Sequence, residues 1–337
     1  MTDHEPFMKR ALELARRGEG LTRPNPPVGA VLVKNGKIIS EGFHKKAGGP
    51  HAEVNCLRQV KGLTAKSLKP ATLYITLEPC STEGRTPPCT DLILERGIRR
   101  VVVGARDPNP AHAGRGLRQL RRAGVEGITG VCRKEAEALI APFSKFILTG
   151  LPYLTLKLGM TLDGRIADAP GKSKWITGPQ ARAKVQELRR AADAVMVGAK
   201  TVLADNPSLL PRPAKGREPW RVIVGTSVPK NSNVLTDEAS ERTLVMNDPL
   251  KKIMRDLGKR GILHVLCEGG GEMAGSLVRA GLVDEFAIFM APSLLGGEGV
   301  PAFGKAGWTL KEMPLLRFQT LEKYGEDVLI RALPVKE

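Results

Sequence analysis

"TLEPCSTEGRTPPC", Thr76 to Cys89, joins two kinds of local structure. The run that leads into it, "ATLYITL", has the apolar, β-branched and aromatic residues of a buried strand. Pro, Ser, Thr and Gly then mark a loop. Pro88–Cys89 opens "CTDLILERG", whose spacing reads as a helix stopped at Gly97. Strand, loop and helix in that order are one step of an α/β layer. The loop carries two thiols, Cys80 and Cys89, with eight residues between them. They could pack, pair with each other, or bind a metal.

The flanking sequence repeats the alternation. Phe7, Ala11, Leu12 and Ala15 have helical spacing within residues 6–17. "VGAVLVKNGKIIS" reads as two strands around an Asn35–Gly36 turn. "HAEVNCLRQV" reads as a helix, "RRVVVGA" as a strand, "GLRQLRRAG" as a helix and "GITGVC" as a strand. "KEAEALIAPFSKFILTG" reads as one longer helix ending at Gly150. At "GLPY" the pattern restarts, and strands and helices alternate again to the C-terminus. Two α/β domains, residues 1–150 and 151–337, are expected. A chain of 337 residues with 42% hydrophobic content can bury two such cores.

No run of 18 apolar residues occurs, so no membrane span is expected. The N-terminus is charged and lacks the apolar core of a signal peptide, which points to the cytoplasm. Five cysteines in a reducing compartment act as ligands, nucleophiles or core residues rather than disulfides. Cys56, Cys132 and Cys267 read as packing residues, the last two at strand ends. The net charge of +17 favours anionic partners, although runs such as "RQLRRAG" are commonly solvated helix faces. Aromatic residues make up only 4% of the chain, too few to favour stacking on single-stranded nucleic acid.

A catalytic zinc takes three protein ligands and leaves the fourth position to water. Cys80 and Cys89 supply two. His51 opens the helix "HAEVNC", with Glu53 two residues on. His-x-Glu followed by Pro-Cys is the pattern of zinc deaminases, in which the glutamate moves protons and does not bind metal. That pattern closes with C-x-x-C, whereas here eight residues intervene.

The longer spacing belongs to a known family. "PNPPVGAVLV", "GFHKKAGGPHAEV", "TLEPCSTEGRTPPCTDLI" and "VVVGARDPNPAHAGRGLRQLRRAGVE" resemble the bifunctional riboflavin-biosynthesis deaminase–reductases. The likeness continues through "LKLGMTLDGRIADAPGKSKWIT", "QARAKVQELRRAADAVMVGAKTVLADNPSLLPR" and "CEGGGEMAGSLVRAGLVDE". It implies a cytidine-deaminase-like α/β/α sandwich followed by a dihydrofolate-reductase-like α/β domain. The first would deaminate 2,5-diamino-6-(5-phosphoribosylamino)pyrimidin-4-one. The second would reduce the ribosyl unit to ribityl with NADPH.

By this resemblance His51, Cys80 and Cys89 hold one Zn2+ and Glu53 is the proton shuttle. Asn25 and the "DPNP" loop at 107–110 line the deaminase pocket. Gly159, Trp175, Thr201, Asp205, Thr226 and the run Gly270, Gly271, Glu272, Met273, Ala274, Gly275 and Ser276 contact NADPH. Ser173, Arg189, Leu209, Arg212 and Glu268 contact substrate. Arg189 and Arg212 suit a phosphate fork. Lys157, a cation within the apolar strand "LTLKLG", is the catalytic candidate of the second domain. One departure stands out: the family places His after "PCS", and this chain has Thr82. The expected partners are a phosphorylated pyrimidine and further copies of the chain, with no nucleic acid and no membrane. Two other readings are a nucleic-acid-editing zinc deaminase and a zinc-stapled nucleic-acid binder. The second domain carries no nucleic-acid motif, and a structural zinc wants a fourth ligand.

Overall fold

The computed structural model describes residues 4–60, 62–83, 87–213 and 217–335. The contact pattern divides the chain into Met1–Thr149 and Gly150–Glu337. The first unit contains α1 (Glu5–Arg16), β1 (Gly29–Lys34), β2 (Lys37–Phe43), α2 (Ala52–Leu57), α3 (Ala65–Leu68), β3 (Thr72–Leu77), α4 (Cys89–Glu95), β4 (Arg100–Ala105), α5 (Arg115–Arg122), β5 (Glu126–Thr129), α6 (Arg133–Leu139) and α7 (Ala141–Thr149).

Its sheet has the order β2-β1-β3-β4-β5. β1 pairs antiparallel with β2 and β3, and β3, β4 and β5 run parallel. The tight turn between β1 and β2 is made by Asn35 at φ 53° and Gly36 at φ 73°. Alternation along each strand sorts side chains to two faces. Ala30, Leu32, Leu73, Ile75 and Val101 pack against Ala52, Cys56, Leu57, Leu68, Ile93 and Leu120 of α2–α5. Val31, Val33, Tyr74 and Val102 pack against Met8, Ala11 and Leu12 of α1 and Ala136 of α6. Each Val, Leu, Ile or Met side chain so buried contributes about 1.5–3 kcal/mol. Both faces are covered, so β3 is buried throughout. α2 lies very close to β2: a Cβ on Gly42 would come within 2.4 Å of the Cys56 backbone nitrogen. That contact sets the depth of the helix that carries Glu53.

The second unit contains β6 (Tyr153–Thr161), β7 (Arg165–Ala167), α8 (Pro179–Ala191), β8 (Ala194–Gly198), α9 (Ala199–Asp205), β9 (Trp220–Val224), α10 (Asn233–Thr236), β10 (Thr243–Met246), α11 (Leu250–Lys259), β11 (His264–Cys267), α12 (Gly271–Arg279), β12 (Glu285–Ala291), β13 (Val300–Pro301), β14 (Leu316–Tyr324) and β15 (Asp327–Pro334). The main sheet runs β10-β9-β8-β11-β6-β12-β15-β14. Strands β10 to β12 are parallel, and β15 and β14 add antiparallel at one edge. The C-terminal ends of β9, β8, β11 and β6 therefore share one edge of the sheet. In open parallel sheets, ligands bind outside that edge.

Three details differ from the sequence reading. The helix expected to run to Gly150 is two helices, broken at Ile140. Pro142 has no N–H to continue the ladder and disfavours helical backbone in the residue before it. Cys132 does not end a strand: it is the N-cap residue of α6, half-buried, at φ 51°. β7, β10, β13 and β14 are additional strands, the first and third forming a small sheet of their own. β14 is exposed along most of its length, so it lacks the alternation that would reveal it.

Candidate active sites

Two helix starts and one strand exit converge in the first unit. His51 has extended backbone, φ −66° and ψ 167°, and turns the chain into α2. Cys89 is the first residue of α4, and Cys80 lies three residues beyond β3. His51 Nδ1 is 3.3 Å from Cys89 Sγ and 3.5 Å from Cys80 Sγ. The Cys89 backbone N–H donates to Cys80 Sγ at 3.3 Å. Among the described residues this trio forms a metal-competent cluster, with ligand atoms all within 4.8 Å of one another. A tetrahedral zinc with N at about 2.0–2.1 Å and S at about 2.3 Å sets N···S edges of about 3.6 Å. The spacing and the NSS donor set thus fit zinc, with a fourth position left open.

The two thiols shift in opposite directions. Cys80 is lowered, first because it is hydrogen-bonded by Cys89. Cys89 is pushed up by that same bond. The two shifts describe one proton shared between adjacent sulfurs, and a cation replaces that proton. His51 is raised by its bond to Cys80. Glu53 is 4% exposed, and burial, reinforced by the Cys80 charge, pushes its carboxyl up to about 7. A carboxyl with that value can both take and give a proton near neutrality. Cys56 and Cys267 lie outside the cluster, and burial pushes both thiols up to about 12.

Asn25 reaches this site through a residue that the sequence reading passed over. Its Nδ2 lies 3.3 Å from His44 Nε2. His44 Nδ1 lies 3.0 Å from the Pro50 carbonyl, and its ring stands edge-on to His51 at 5.4 Å. His44 is 2% exposed, and burial lowers its pKa. Lacking a ligand-like spacing, it gave no signal beyond its place in "GFHKKAGG". Thr82, where the family places histidine, has its Oγ1 3.5 Å from His112 Nδ1, so an imidazole approaches from a different loop. Gly84–Thr86, within the "GRTPPC" motif, lies outside the described residues.

Glu78 was also missed. Its buried carboxylate accepts backbone N–H groups from Asp107 at 3.3 Å, Gly114 at 2.9 Å and Leu117 at 3.3 Å. It therefore pins the "DPNP" loop and the start of α5 beneath the cysteine loop. The Asp107 and Asn109 side chains shape that loop by accepting the Asn109 and Ala111 N–H groups.

In the second unit Glu268, just past β11, is the hub. Arg189 Nε and Nη2 donate to its two oxygens at 2.6 and 3.1 Å, and Lys157 Nζ lies at 3.2 Å. Burial alone would raise the Glu268 pKa, but the charges of Lys157 and Arg189 outweigh it and hold it at about 2. Arg189 also donates to the Leu210 carbonyl, so three of its five N–H groups are committed. Arg212 is exposed, and its backbone N–H donates to Gln186 Oε1. Leu209 is 2% exposed and packs with Val195, Val197 and Ile223, which leaves its backbone for any ligand contact.

The residues expected to contact NADPH lie along the C-terminal edge of the parallel strands. Thr201 Oγ1 accepts the Gly270 N–H at 3.3 Å, and Ser173 Oγ donates to Asp205 at 3.3 Å. Thr226 follows β9 and is exposed, while Gly159 lies in β6 beside Thr177. Trp175 is 70% exposed, with the Arg182 guanidinium 4.5 Å from its ring centre. Gly270 caps α12, whose first N–H groups have no partner within the helix. Such a terminus suits the phosphates of a dinucleotide. Packing accounts for two of the glycines. A Cβ on Gly271 would lie 2.2 Å from the Pro301 carbonyl oxygen, and one on Gly275 would lie 2.5 Å from that of Gly304. Ala274 is buried in the core, the Met273 side chain lies against Gly198 and Gly269, Glu272 pairs with Lys200 and Lys305, and Ser276 bonds back to Glu272.

The family described as the RibD C-terminal domain matches residues 152–330. The cytidine and deoxycytidylate deaminase zinc-binding region matches residues 1–105. The riboflavin biosynthesis protein RibD of Bacillus amyloliquefaciens is 42% identical, over 98% of this chain and 96% of that protein. The RibD of Escherichia coli K12 is 41% identical, over 97% and 98%. Among solved structures, the diaminohydroxyphosphoribosylaminopyrimidine deaminase/5-amino-6-(5-phosphoribosylamino)uracil reductase of Thermotoga maritima is 39% identical. It superimposes with a TM-score of 0.87 over 98% of this chain and 99% of that one.

Proposed function

Because the chain belongs to the RibD family of riboflavin biosynthesis proteins, we propose that its two sites act in sequence on one phosphorylated pyrimidine. The chain is a bifunctional enzyme, a zinc-dependent deaminase joined to an NADPH-dependent reductase. Residues 1–150 carry the first activity and residues 151–337 the second. In the first step water replaces the exocyclic amine of 2,5-diamino-6-(5-phosphoribosylamino)pyrimidin-4-one, and ammonia leaves. In the second, the ribosyl C1′ gains a hydride and the ring oxygen a proton, which opens the sugar to ribityl.

The His51–Cys80–Cys89 cluster beside buried Glu53 is the observation that carries this reading. When bound there, zinc lowers the pKa of a water ligand to about 7. Glu53 takes the two protons of the attacking water in turn, passing one to the ring nitrogen and the other to the leaving amine, which departs as ammonia. His44 fixes Asn25, which orients the pyrimidine. In the second unit NADPH supplies the hydride. Gly270 and the start of α12 hold its phosphates, and Thr201, Asp205, Thr226, Gly159 and Trp175 contact other parts of the cofactor. Lys157, ion-paired to Glu268, donates the proton to the opening sugar. Arg212 takes the substrate phosphate, with Ser173 and the Leu209 backbone beside it. Arg189 uses its two uncommitted N–H groups there and otherwise holds Glu268 in place.

We read the chain as a cytoplasmic homo-oligomer. Its five cysteines are all free, and among the described residues no helix is long and apolar enough to cross a membrane. β14 is an edge strand with Phe318 and Leu321 more than 60% exposed, a surface suited to a second copy. Light scattering of Phe318→Lys tests the oligomer, since a variant unchanged in mass removes β14 from the interface. For the activity, ammonia release and NADPH oxidation are followed separately with the diaminopyrimidine phosphate as substrate. Ammonia should appear without NADPH, and NADPH should be consumed only after deamination. NADPH oxidation that precedes ammonia release would reverse the assigned order.

A further inference from the structure

α5 presents three arginines to one cleft. Arg115, Arg118 and Arg122, spaced three and four residues apart, lie on one helix face. With Gln119, Ser81 and Thr82 they line a cleft of about 700 Å³. Ser81 and Thr82 directly follow the metal-ligand candidate Cys80, so one wall of the cleft is the rim of the deaminase site. Among the described residues, no ion pair involves any of the three arginines, whereas Arg10, Arg100, Arg133, Arg189 and Arg221 all have carboxylate partners. Asp91, on the neighbouring helix α4, accepts instead from Gln119 at 2.9 Å.

The geometry points to this cleft as the subsite for the phosphoribosyl arm of the deaminase substrate, with Arg115 and Arg118 on the phosphate. The inference rests on the deaminase reading above. An Arg118 Nη1 position 2.8 Å from where a Gly114 Cβ would stand folds its guanidinium back to the start of α5. That is the end of the helix reached by the loop of His112, which itself touches Thr82. The backbone N–H groups of Gly114 and Leu117 are spent on Glu78, so the arginine side chains remain to carry the anion. A merely solvated basic face would have no reason to border a cleft that begins at the residue after a metal-ligand candidate. Guanidinium groups suit phosphate because their planar donors match its oxygens. The Ser81 hydroxyl, on the same wall of the cleft, faces the ribose.

The test compares kcat/KM for ammonia release from the phosphorylated substrate with that from its dephosphorylated counterpart, using zinc-loaded full-length protein. Arg118→Ala should cut the preference for the phosphorylated form about 10- to 100-fold, the range for one charge-assisted hydrogen bond. Inorganic phosphate should compete with the substrate in the unmodified protein and lose potency in the variant. Arg121→Ala, whose guanidinium bonds the Gly127 carbonyl outside the cleft, should leave the preference intact. An unchanged preference in both Arg118→Ala and Arg115→Ala would overturn the subsite. Absence of ammonia release from the unmodified protein would instead refute the deaminase reading on which it rests.

Discussion

Replacing Glu268 by Gln keeps the shape of the side chain and removes its charge. Lys157 and Arg189 are then left facing a neutral amide at the end of β11. The folded-state pKa of Glu268, about 2, lies below its ordinary value of 4.5. A depressed carboxyl stabilises the fold above the unfolded value, and that contribution is lost as pH falls through the folded one. At about 1.4 kcal/mol per tenfold, the difference amounts to about 3 kcal/mol at pH 7 and about 1.4 kcal/mol at pH 3. The side chain is 7% exposed, so solvent screening reduces this little. Breaking a buried pair by removing one partner costs a similar amount, about 3–5 kcal/mol. The assay is urea unfolding followed by tryptophan fluorescence. Trp175, Trp220 and Trp308 are the chain's three tryptophans, and all lie in the second unit, so the signal reports on that unit alone. Glu268→Gln should lower the unfolding free energy by about 3 kcal/mol at pH 7, and by clearly less at pH 3. A loss under about 1 kcal/mol at pH 7, or an equal loss at both pH values, would refute the charge-based account.

Glu53→Gln should keep its zinc, measured by elemental analysis, and lose deamination by about 10²–10⁴-fold, because an amide cannot shuttle protons; activity within a few-fold of the unmodified enzyme rules out that role. Cys89→Ala should lose tightly bound zinc and ammonia release together, while reduction of already deaminated substrate continues; full retention of zinc removes Cys89 from the ligand set. Glu78→Ala strands three backbone donors, each costing about 1–3 kcal/mol if left unsatisfied. Hydrogen exchange at Asp107, Gly114 and Leu117 should accelerate at least tenfold, and unchanged protection there means that Glu78 does not hold the loop.

Some of this molecule is written in short stretches of sequence. The β1–β2 turn follows from Asn35–Gly36, and the burial of β3 from its unbroken apolar run. His-x-Glu and the two thiols were legible because helix and strand periods are local properties, so the ligand types and their order can be read without knowing the fold. Pro142 marks the break between α6 and α7, yet it sits in a run whose apolar spacing argues for one helix. β14 was not legible at all: its side chains are mostly exposed, and the strand forms by pairing with β15. Glu268 meets Lys157 and Arg189 across 111 and 79 residues. That meeting depends on β11 lying between β8 and β6, a choice of neighbours that no local pattern encodes. Glu78 likewise bonds backbone groups 29 to 39 residues away, and its sequence neighbours say nothing of them. A backbone N–H gives no signal of which buried carboxylate it will find, because that is decided only when α5 closes over the end of β3.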